Sequence, residues 1–379
     1  MEQDRTPSAQ QHDRRTFLKQ GIGVAVAAPM MLRISSTEPA YALAGLTSQQ
    51  AAGQRVIFSY PGLTPPSSLL QQIRDGEAAG VIFFKENISS KAQIAAVAQQ
   101  LREAQAQSPV SAPLLLMVDQ EGGLVRRLPG EPTMSAKQVG QSADPVAAAE
   151  SAGTGAGQNL ASVDMNVNLA PVLDVFYTSG NFIDSSQRSF SSSASTVAAC
   201  GSAFIAAQQA TGVAATAKHF PGLGAATKSQ NTDLGPVTLK VSLATLRAKD
   251  EAPYPAAIQA GVKLVMLSWA TYTALDRRRP AGLSATVVQN ELRSRLGYQG
   301  VTVTDALEAG GLKAFGSTGQ RAVTAASAGM DLILSAARSV VEGQSATTAL
   351  ASALDSRKLD ATTFNAALDR VTALRNSLS

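Results

Sequence analysis

The segment KHFPGLG, residues 218–224, places a cation, an imidazole and an aromatic ring together at the end of an apolar run. The preceding VAATA is typical of a buried strand, and Pro221-Gly222 indicates a turn directly after it. A strand that only packs in a core has no need of Lys218 and His219 at its end. Because α/β barrels keep their active sites at the carboxyl ends of their strands, both residues are candidate site residues.

Two aspartates also end apolar runs, and two arginines are further candidate site residues. Asp305 ends the run VTVT, and Asp119 ends LLLMV ahead of paired glycines at 122–123, which would let backbone approach a ligand. Asp305 could equally cap a following helix, and Asp119 could equally be a cap or turn residue. Arg127 and Arg188 could bind hydroxyls or a carboxylate through their forked donors, although a single arginine is more often solvated or paired.

The sequence lacks the motifs of several other chemistries. It has no G-x-x-x-x-G-K-[ST] phosphate loop, no strand-linked G-x-G-x-x-G and no G-x-S-x-G elbow. Cys200 is the single cysteine, so neither an intrachain disulfide nor a cysteine metal cluster can form. We expect no cofactor and no metal. Carboxylates, a Lys-His pair and two arginines at strand ends suit a sugar, which needs hydroxyl ligands and a carboxylate that can attack or stabilise an oxocarbenium-like centre.

Eight short apolar runs recur along the chain with Ala-rich helical stretches between them. Most runs are continuous, as expected of parallel strands buried on both faces. The pattern predicts an α/β fold, a (β/α)8 TIM barrel with a single catalytic domain. The predicted strands are Arg55–Tyr60, Gly80–Phe84, Pro113–Asp119, Val163–Pro171, Val213–Phe220, Leu264–Trp269, Val301–Leu307 and Asp331–Ser335. The predicted helices include Lys91–Gln107, Pro145–Leu160, Ser195–Ala210, Leu243–Ala260 and those within 336–379.

Composition and charge limit the possible partners. The 379 residues are 45% hydrophobic and 16% charged, which suits a globular protein with a large core. The net charge of +4 is small and spread along the chain, so no nucleic-acid partner is indicated. The expected partner is a carbohydrate substrate. Nothing in the sequence requires an oligomer, and we expect a monomer.

Residues 1–44 have the features of an export signal. Arg14-Arg15 followed by TFLK resembles the bacterial Tat signal, and the uncharged stretch 21–32 is too short to span a bilayer, which needs about 20 residues. Ala40-Tyr41-Ala42 and Ala42-Leu43-Ala44 both fit an A-x-A cleavage site. We therefore expect export to the extracellular space, cell wall or periplasm, without a stable membrane anchor, and assign 45–379 to the barrel. A disordered N-terminus with a chance arginine pair is the alternative.

Segments in every part of the predicted barrel resemble glycoside hydrolase family 3, in its single-barrel branch of bacterial β-N-acetylglucosaminidases. In the family's order they are MVDQEGGLVRRLPG, NLAPVLDV, QRSF, AKHFPGLG, GLSATVVQNELRSRLGYQGVTVTDAL and AGMDLIL. The resemblance runs from about Gly53 to Leu334 and implies a (β/α)8 barrel that needs no cofactor or metal. Larger family members add an α/β sandwich domain, which we do not expect here.

The resemblance also implies roles for the candidate residues. Asp305 would be the nucleophile that forms the glycosyl-enzyme, and Asp119 and Arg127 would hold sugar hydroxyls. The same pocket would be lined by Arg188, Lys218 and His219.

The loop after KHFPG departs from the family pattern. Its Asp-Ser-His element, which carries the general acid/base, aligns without gaps with Ser229, Gln230 and Asn231, and the family's second histidine is Leu223. None of these side chains can give and retake a proton near neutral pH. Asp233, in the same loop, is our candidate for a substitute acid/base, provided that the loop can move to bring it in. Glu121 and Glu308 are weaker candidates, since both could be structural.

The sequence favours a secreted retaining β-glycosidase, most closely a β-N-acetylglucosaminidase acting on cell-wall fragments or N-acetylated oligosaccharides. One alternative is a non-catalytic sugar-binding barrel that has lost its acid/base. The others are a β-glucosidase or β-xylosidase, and a glycoside phosphorylase in which Lys218 and Arg188 hold phosphate.

Overall fold

Eight short parallel strands form the centre of the computed structural model, which describes residues 45–378. They are β1 Val56–Phe58, β2 Gly80–Phe83, β3 Leu115–Val118, β4 Val167–Asn168, β5 Ala214–Phe220, β6 Leu264–Leu267, β7 Val301–Thr304 and β8 Ile333–Leu334. Their order in the sheet is β7-β6-β5-β4-β3-β2-β1-β8. A parallel bridge between Val303 and Leu332 brings the two edges together. The predicted (β/α)8 barrel is confirmed, and the signal segment 1–44 lies outside the described residues.

Alternating side chains of each strand enter two separate apolar clusters. In β3, Leu115 and Met117 belong to the cluster inside the barrel, whereas Leu116 and Val118 belong to the cluster under the helices. Successive strand residues point to opposite faces of a sheet, so burial of both faces favours apolar residues at most positions. This is why the strands read as continuous apolar runs in the sequence.

Helices surround the barrel, and most lie where the sequence predicts them. Pro145–Ala161, for example, begins after Asp144, whose side chain accepts the N–H of Ala147. The α-helices of the described residues are α1 Ser48–Gly53, α2 Ser67–Arg74, α3 Lys91–Gln105, α4 Ala136–Gly140, α5 Pro145–Ala161, α6 Phe182–Ser185, α7 Ala194–Gln209, α8 Leu243–Thr245, α9 Tyr254–Gln259, α10 Thr318–Ala328, α11 Val340–Asp355 and α12 Ala361–Asn376. None of the helices between residues 45 and 378 is long and apolar enough to cross a membrane.

The single helix predicted over Leu243–Ala260 is wrong. The segment instead consists of α8, a π-helical turn over Leu246–Asp250 and α9. Pro253 lies between the π-helical turn and α9, and a proline has no N–H to continue a helical ladder. Ala-rich composition indicated a helix here, but it did not show where the prolines would interrupt it.

Candidate active site

A cavity of about 380 Å³ opens at the carboxyl ends of the barrel strands. Its wall includes residues that end or directly follow β2, β3, β5, β7 and β8. All seven predicted site residues line it, namely Asp119, Arg127, Arg188, Lys218, His219, Asp233 and Asp305. Ligand cavities of proteins span about 300–1,000 Å³, so this one suits a small ligand of monosaccharide size.

Neither strand-end aspartate caps a helix, so the structure contradicts the helix-cap alternative for both. Asp119 leads into a hairpin of the strands Gln120–Gly122 and Val125–Arg126. Asp305 accepts the N–H of Ala306 at 2.8 Å, and the 3₁₀ helix that follows begins only at Gly310. The two carboxyls are therefore available to the cavity.

The glycine pair 122–123 serves the hairpin and not a ligand. Both residues have positive φ, +105° and +55°. A Cβ on Gly122 would lie 2.2 Å from the carbonyl oxygen of Met134, and one on Gly123 would lie 2.5 Å from Cβ of Ser135. Neither glycine is among the residues that line the cavity, and the atoms that come close to them belong to the protein's own segment 132–135.

A network of buried charges forms one wall of the cavity. Lys218 Nζ lies 2.7 Å from Asp119 Oδ1 and 2.7 Å from Glu121 Oε1. Arg188 binds Glu121 with two parallel bonds of 2.8 Å from Nε and Nη2. Burial alone would raise the pKa of Glu121, but Arg188 and Lys218 hold it well below its usual range. Glu121 therefore stays ionised and is unsuited to exchange a proton near neutral pH.

The same network keeps Lys218 charged. Burial alone would lower the pKa of Lys218, but the carboxylates of Asp119 and Glu121 raise it above its usual value. Desolvated ion pairs with several partners are stable only when every member is present. The network fixes Asp119, Lys218 and Arg188 in one arrangement, with donors and acceptors turned toward the cavity.

Lys218→Ala is expected to lower the free energy of unfolding by about 3–5 kcal/mol, since it leaves two carboxylates without their shared cation. Urea denaturation of the full chain measures this loss. Lys313→Ala, at an exposed position of the segment 310–315, is the control and should change stability by less than about 0.5 kcal/mol. If Lys218→Ala lowers the free energy of unfolding by less than about 1 kcal/mol, its ion pairs with Asp119 and Glu121 are not essential to the fold.

His219 is oriented by an aspartate that sequence reasoning missed. Asp174 is fully buried, and its Oδ2 lies 2.7 Å from His219 Nδ1. Its Oδ1 accepts the N–H of Leu223 at 2.7 Å. On the other side of the ring, Arg188 Nη2 lies 3.4 Å from His219 Nε2. Because a guanidinium can only donate, Nε2 accepts and the ring proton is on Nδ1, bound to Asp174.

Asp233 is one of the residues that line the cavity. The N–H of Gly310 donates to the carbonyl of Asp233 at 2.8 Å, and the N–H of Gly311 donates to that of Thr232 at 2.8 Å. These bonds join the loop to the segment that follows Asp305. Asn231 and Thr232 also line the cavity, whereas Ser229 and Gln230 are not among its lining residues.

The surroundings of Asp233 favour its protonated form. Asp233 as a whole residue is exposed, but it also lines the cavity. Desolvation there, followed by the negative charge of Asp305, raises the pKa of Asp233 above its usual value. The positive charge of Arg188 opposes this shift without reversing it. The charge of Asp305 thus increases the affinity of Asp233 for a proton.

Arg127 presents an unused donor. Its Nε is buried without a hydrogen-bond partner in the protein, and the side chain lines the cavity. Its backbone is fixed by Gln120, whose Oε1 accepts the N–H groups of Arg127 and Leu128 at 3.0 Å each. A buried donor without a partner is costly unless a ligand satisfies it, so Arg127 is placed to bind a substrate oxygen.

Comparison with known proteins identifies the group to which the chain belongs. The model of the glycosyl hydrolase family 3 N-terminal domain matches residues 57–374. The chain is 47% identical over 330 residues to an uncharacterized secreted glycosyl hydrolase of Arthroderma benhamiae, covering 86% of this chain and 93% of that protein. It is 32% identical over 286 residues to a beta-hexosaminidase of Xylella fastidiosa, covering 74% of this chain and 82% of that one.

A solved structure agrees with both sequence matches. A glycoside hydrolase family 3 beta-N-acetylglucosaminidase of a Paenibacillus species superposes with a TM-score of 0.82 at 33% identity. The superposition covers 88% of this chain and 63% of that one, so this chain spans less than two thirds of the length of that relative. With the barrel and its carboxyl-lined cavity, these matches show that the chain belongs to glycoside hydrolase family 3 and is a glycoside hydrolase.

Proposed function

We propose that the protein is an exported retaining β-N-acetylglucosaminidase that removes single sugars from cell-wall fragments or N-acetylated oligosaccharides. The observation that carries the proposal is the convergence of Asp305 and Asp233 on one cavity of monosaccharide size. Relatives named beta-hexosaminidase and beta-N-acetylglucosaminidase support the choice of sugar. The Tat-like segment and a relative named as secreted support export.

The proposed reaction is a double displacement at the anomeric carbon. In the first step the carboxylate of Asp305 bonds to that carbon while Asp233 gives its proton to the leaving oxygen. In the second step Asp233, now ionised, takes a proton from water as the water oxygen displaces Asp305. Two inversions leave the product in the β configuration, and both carboxyls return to their starting states.

The charged wall has a binding role in this proposal. Asp119 and Arg127 hold hydroxyls of the sugar, and Arg188, Lys218 and His219 line the same pocket. The carboxylate of Asp119 can only accept and Arg127 Nε can only donate, so the wall offers both kinds of partner to the hydroxyl groups. Since the network is held rigidly by its own ion pairs, little ordering is required when the sugar binds.

Turnover of 4-nitrophenyl β-glycosides by the purified full chain tests the proposal. We expect kcat/KM for the N-acetylglucosaminide to exceed that for the glucoside and the xyloside by at least about 100-fold, because a pocket that binds the acetamide loses those contacts with the other sugars. The first sugar released should be the β anomer in proton NMR spectra.

Each other outcome points to a specific alternative. A preferred glucoside or xyloside would replace the N-acetyl assignment, and an α anomer formed first would contradict the retaining mechanism. A rate that depends on phosphate, with a sugar 1-phosphate as product, would indicate a phosphorylase. Sugar binding without turnover of any substrate would indicate a binding protein.

A further inference from the structure

Glu308 is a carboxyl group of the active-site cavity that the double displacement does not use. It follows Asp305 in the loop after β7 and lines the cavity together with Asp305 and Ala336. Its Oε2 is buried and has no hydrogen-bond partner in the protein. A buried carboxylate oxygen without a partner is costly, whereas a protonated one can donate to a ligand.

A second glutamate acts electrostatically on Glu308 and is not among the residues that line the cavity. Glu342, near the start of α11, is buried, and its Oε2 accepts the N–H of Ala337 at 2.8 Å. Arg321 of α10 donates to the carbonyl of Leu307 at 2.8 Å, and its charge favours the ionised form of Glu342. Burial outweighs both effects, so the pKa of Glu342 is raised above its usual value. The geometric difference between the two groups is that Oε2 of Glu342 accepts a backbone N–H, whereas Oε2 of Glu308 has no partner and is free to hold a proton.

The charged groups around Glu308 act in the same direction. Burial, and then the negative charges of Glu342 and Asp305, raise the pKa of Glu308 to about 7, against the effect of nearby backbone N–H groups. Arg321 faces Glu342. Arg338 also lines this part of the cavity, but its guanidinium already has partners. Its central carbon lies 4.1 Å from the centroid of the Phe84 ring, and its Nε lies 3.4 Å from Glu86 Oε1. Glu308 consequently carries its proton in slightly acidic solution.

We propose that protonated Glu308 is a neutral hydrogen-bond donor of the sugar pocket, giving its Oε2–H to an oxygen of the sugar bound against Asp305. The inference rests on the proposed function, because it needs a sugar in this cavity. A neutral donor has an advantage at this position. It binds a hydroxyl or carbonyl oxygen without placing a second negative charge beside Asp305, which must be ionised in order to attack.

Binding of N-acetylglucosamine, measured by calorimetry between about pH 5 and 9, tests the role of Glu308 apart from catalysis. All variants are made in the full chain carrying Asp233→Asn, so that Asp233 neither titrates nor supports turnover. At about pH 6, below the pKa of Glu308, the affinity of the parent should not depend on pH. Above that pKa, its affinity should fall by up to about tenfold for each pH unit. The sign follows from the raised pKa: the binding form is the protonated one, and it is lost as pH rises.

Substitutions at Glu308 separate donation from structure. Glu308→Gln keeps an N–H donor that does not titrate, so its affinity should be within about threefold of the parent at pH 6 and should not fall toward pH 8. Glu308→Ala should bind about tenfold more weakly at every pH. Glu342→Gln removes a like charge, so the decline should begin at lower pH than in the parent. Glu103→Gln, exposed on α3, is the control and should reproduce the parent profile.

Two results would overturn the role of Glu308. If Glu308→Gln still loses affinity as pH rises, another group titrates; if it binds as weakly as Glu308→Ala at pH 6, the site needs a carboxylate. Thermal unfolding of each variant identifies a loss of fold. Binding of glucose or xylose in place of N-acetylglucosamine would instead overturn the sugar assignment, and the same pH series with that sugar would decide the role of Glu308. Failure of all three sugars to bind at pH 6 would overturn both proposals.

Discussion

Asp305→Ala is expected to lower kcat/KM for 4-nitrophenyl N-acetyl-β-glucosaminide by about 10⁵-fold, because the proposed covalent bond to the anomeric carbon can no longer form. Asp305 directly follows β7 and lines the cavity. A small anion should replace the missing carboxylate. Azide is therefore expected to restore turnover and to give a glycosyl azide of α configuration, since it attacks from the face that Asp305 occupied. Initial rates and NMR spectra of the product measure both effects.

Two further variants show whether such a loss is specific. Asp305→Asn keeps the side-chain oxygen that accepts the Ala306 N–H and should be as inactive as the alanine variant without azide. Asp144→Ala removes the N-cap of α5, which should cost about 1 kcal/mol of unfolding free energy and leave kcat/KM unchanged. An Asp305→Ala enzyme that retained more than about a hundredth of the wild-type rate would require a different nucleophile.

The barrel and much of its site were predictable because both follow from local sequence. A strand buried on two faces is mostly apolar, and a charged residue at its carboxyl end must lie at that edge of the sheet. Asp305, directly after β7, and Lys218-His219, among the last residues of the run that forms β5, are such cases. The alternatives of a helix cap for Asp305 and Asp119 could not be decided locally, since both readings expect an aspartate at the same position.

The features that the sequence did not reveal depend on contacts between distant segments. Asp174 lies in a loop after β4, and only the fold brings it within 2.7 Å of His219. The bonds from Gly310 and Gly311 to the loop of Asp233 join segments that are far apart in the chain. A Cβ on Gly310 would lie 2.3 Å from the carbonyl oxygen of Leu234, so this close approach needs glycine there. An ungapped alignment with the family pattern could not show which residue of the loop would reach the cavity.

The charges of the cavity divide into a fixed set and a titratable set. Lys218, Glu121 and Arg188 hold one another in their ionised forms across the pH range of ordinary enzymes. Asp233 and Glu308 have raised pKa values because each is desolvated and faces other carboxylates. Pairs of groups whose environments push their pKa values apart are typical of acid–base assignments. The fixed set suits recognition of the sugar, and the titratable set suits transfer or donation of protons.

Asp233→Ala is expected to affect substrates according to their leaving groups. For N,N'-diacetylchitobiose, whose leaving alcohol needs a proton, kcat/KM should fall by about 10³–10⁴-fold. For 4-nitrophenyl N-acetyl-β-glucosaminide, whose phenolate leaves without protonation, the fall should be about tenfold or less. The covalent intermediate should then accumulate because no general base activates water. Azide needs no base, so it should raise the rate and give a β-glycosyl azide, opposite in configuration to the product of Asp305→Ala.

The pH dependence gives a second, independent test of Asp233. The acid must be protonated for the first step, so its contribution to kcat/KM is lost as pH rises through its pKa, which the cavity raises above the usual value for aspartate. Asp233→Asn should remove this decline, while the separate decline assigned to Glu308 should persist and disappear only when Glu308 is replaced as well. Equal losses on the disaccharide and the aryl glycoside, with no response to azide, would mean that Asp233 positions the substrate and that another group of the cavity transfers the proton.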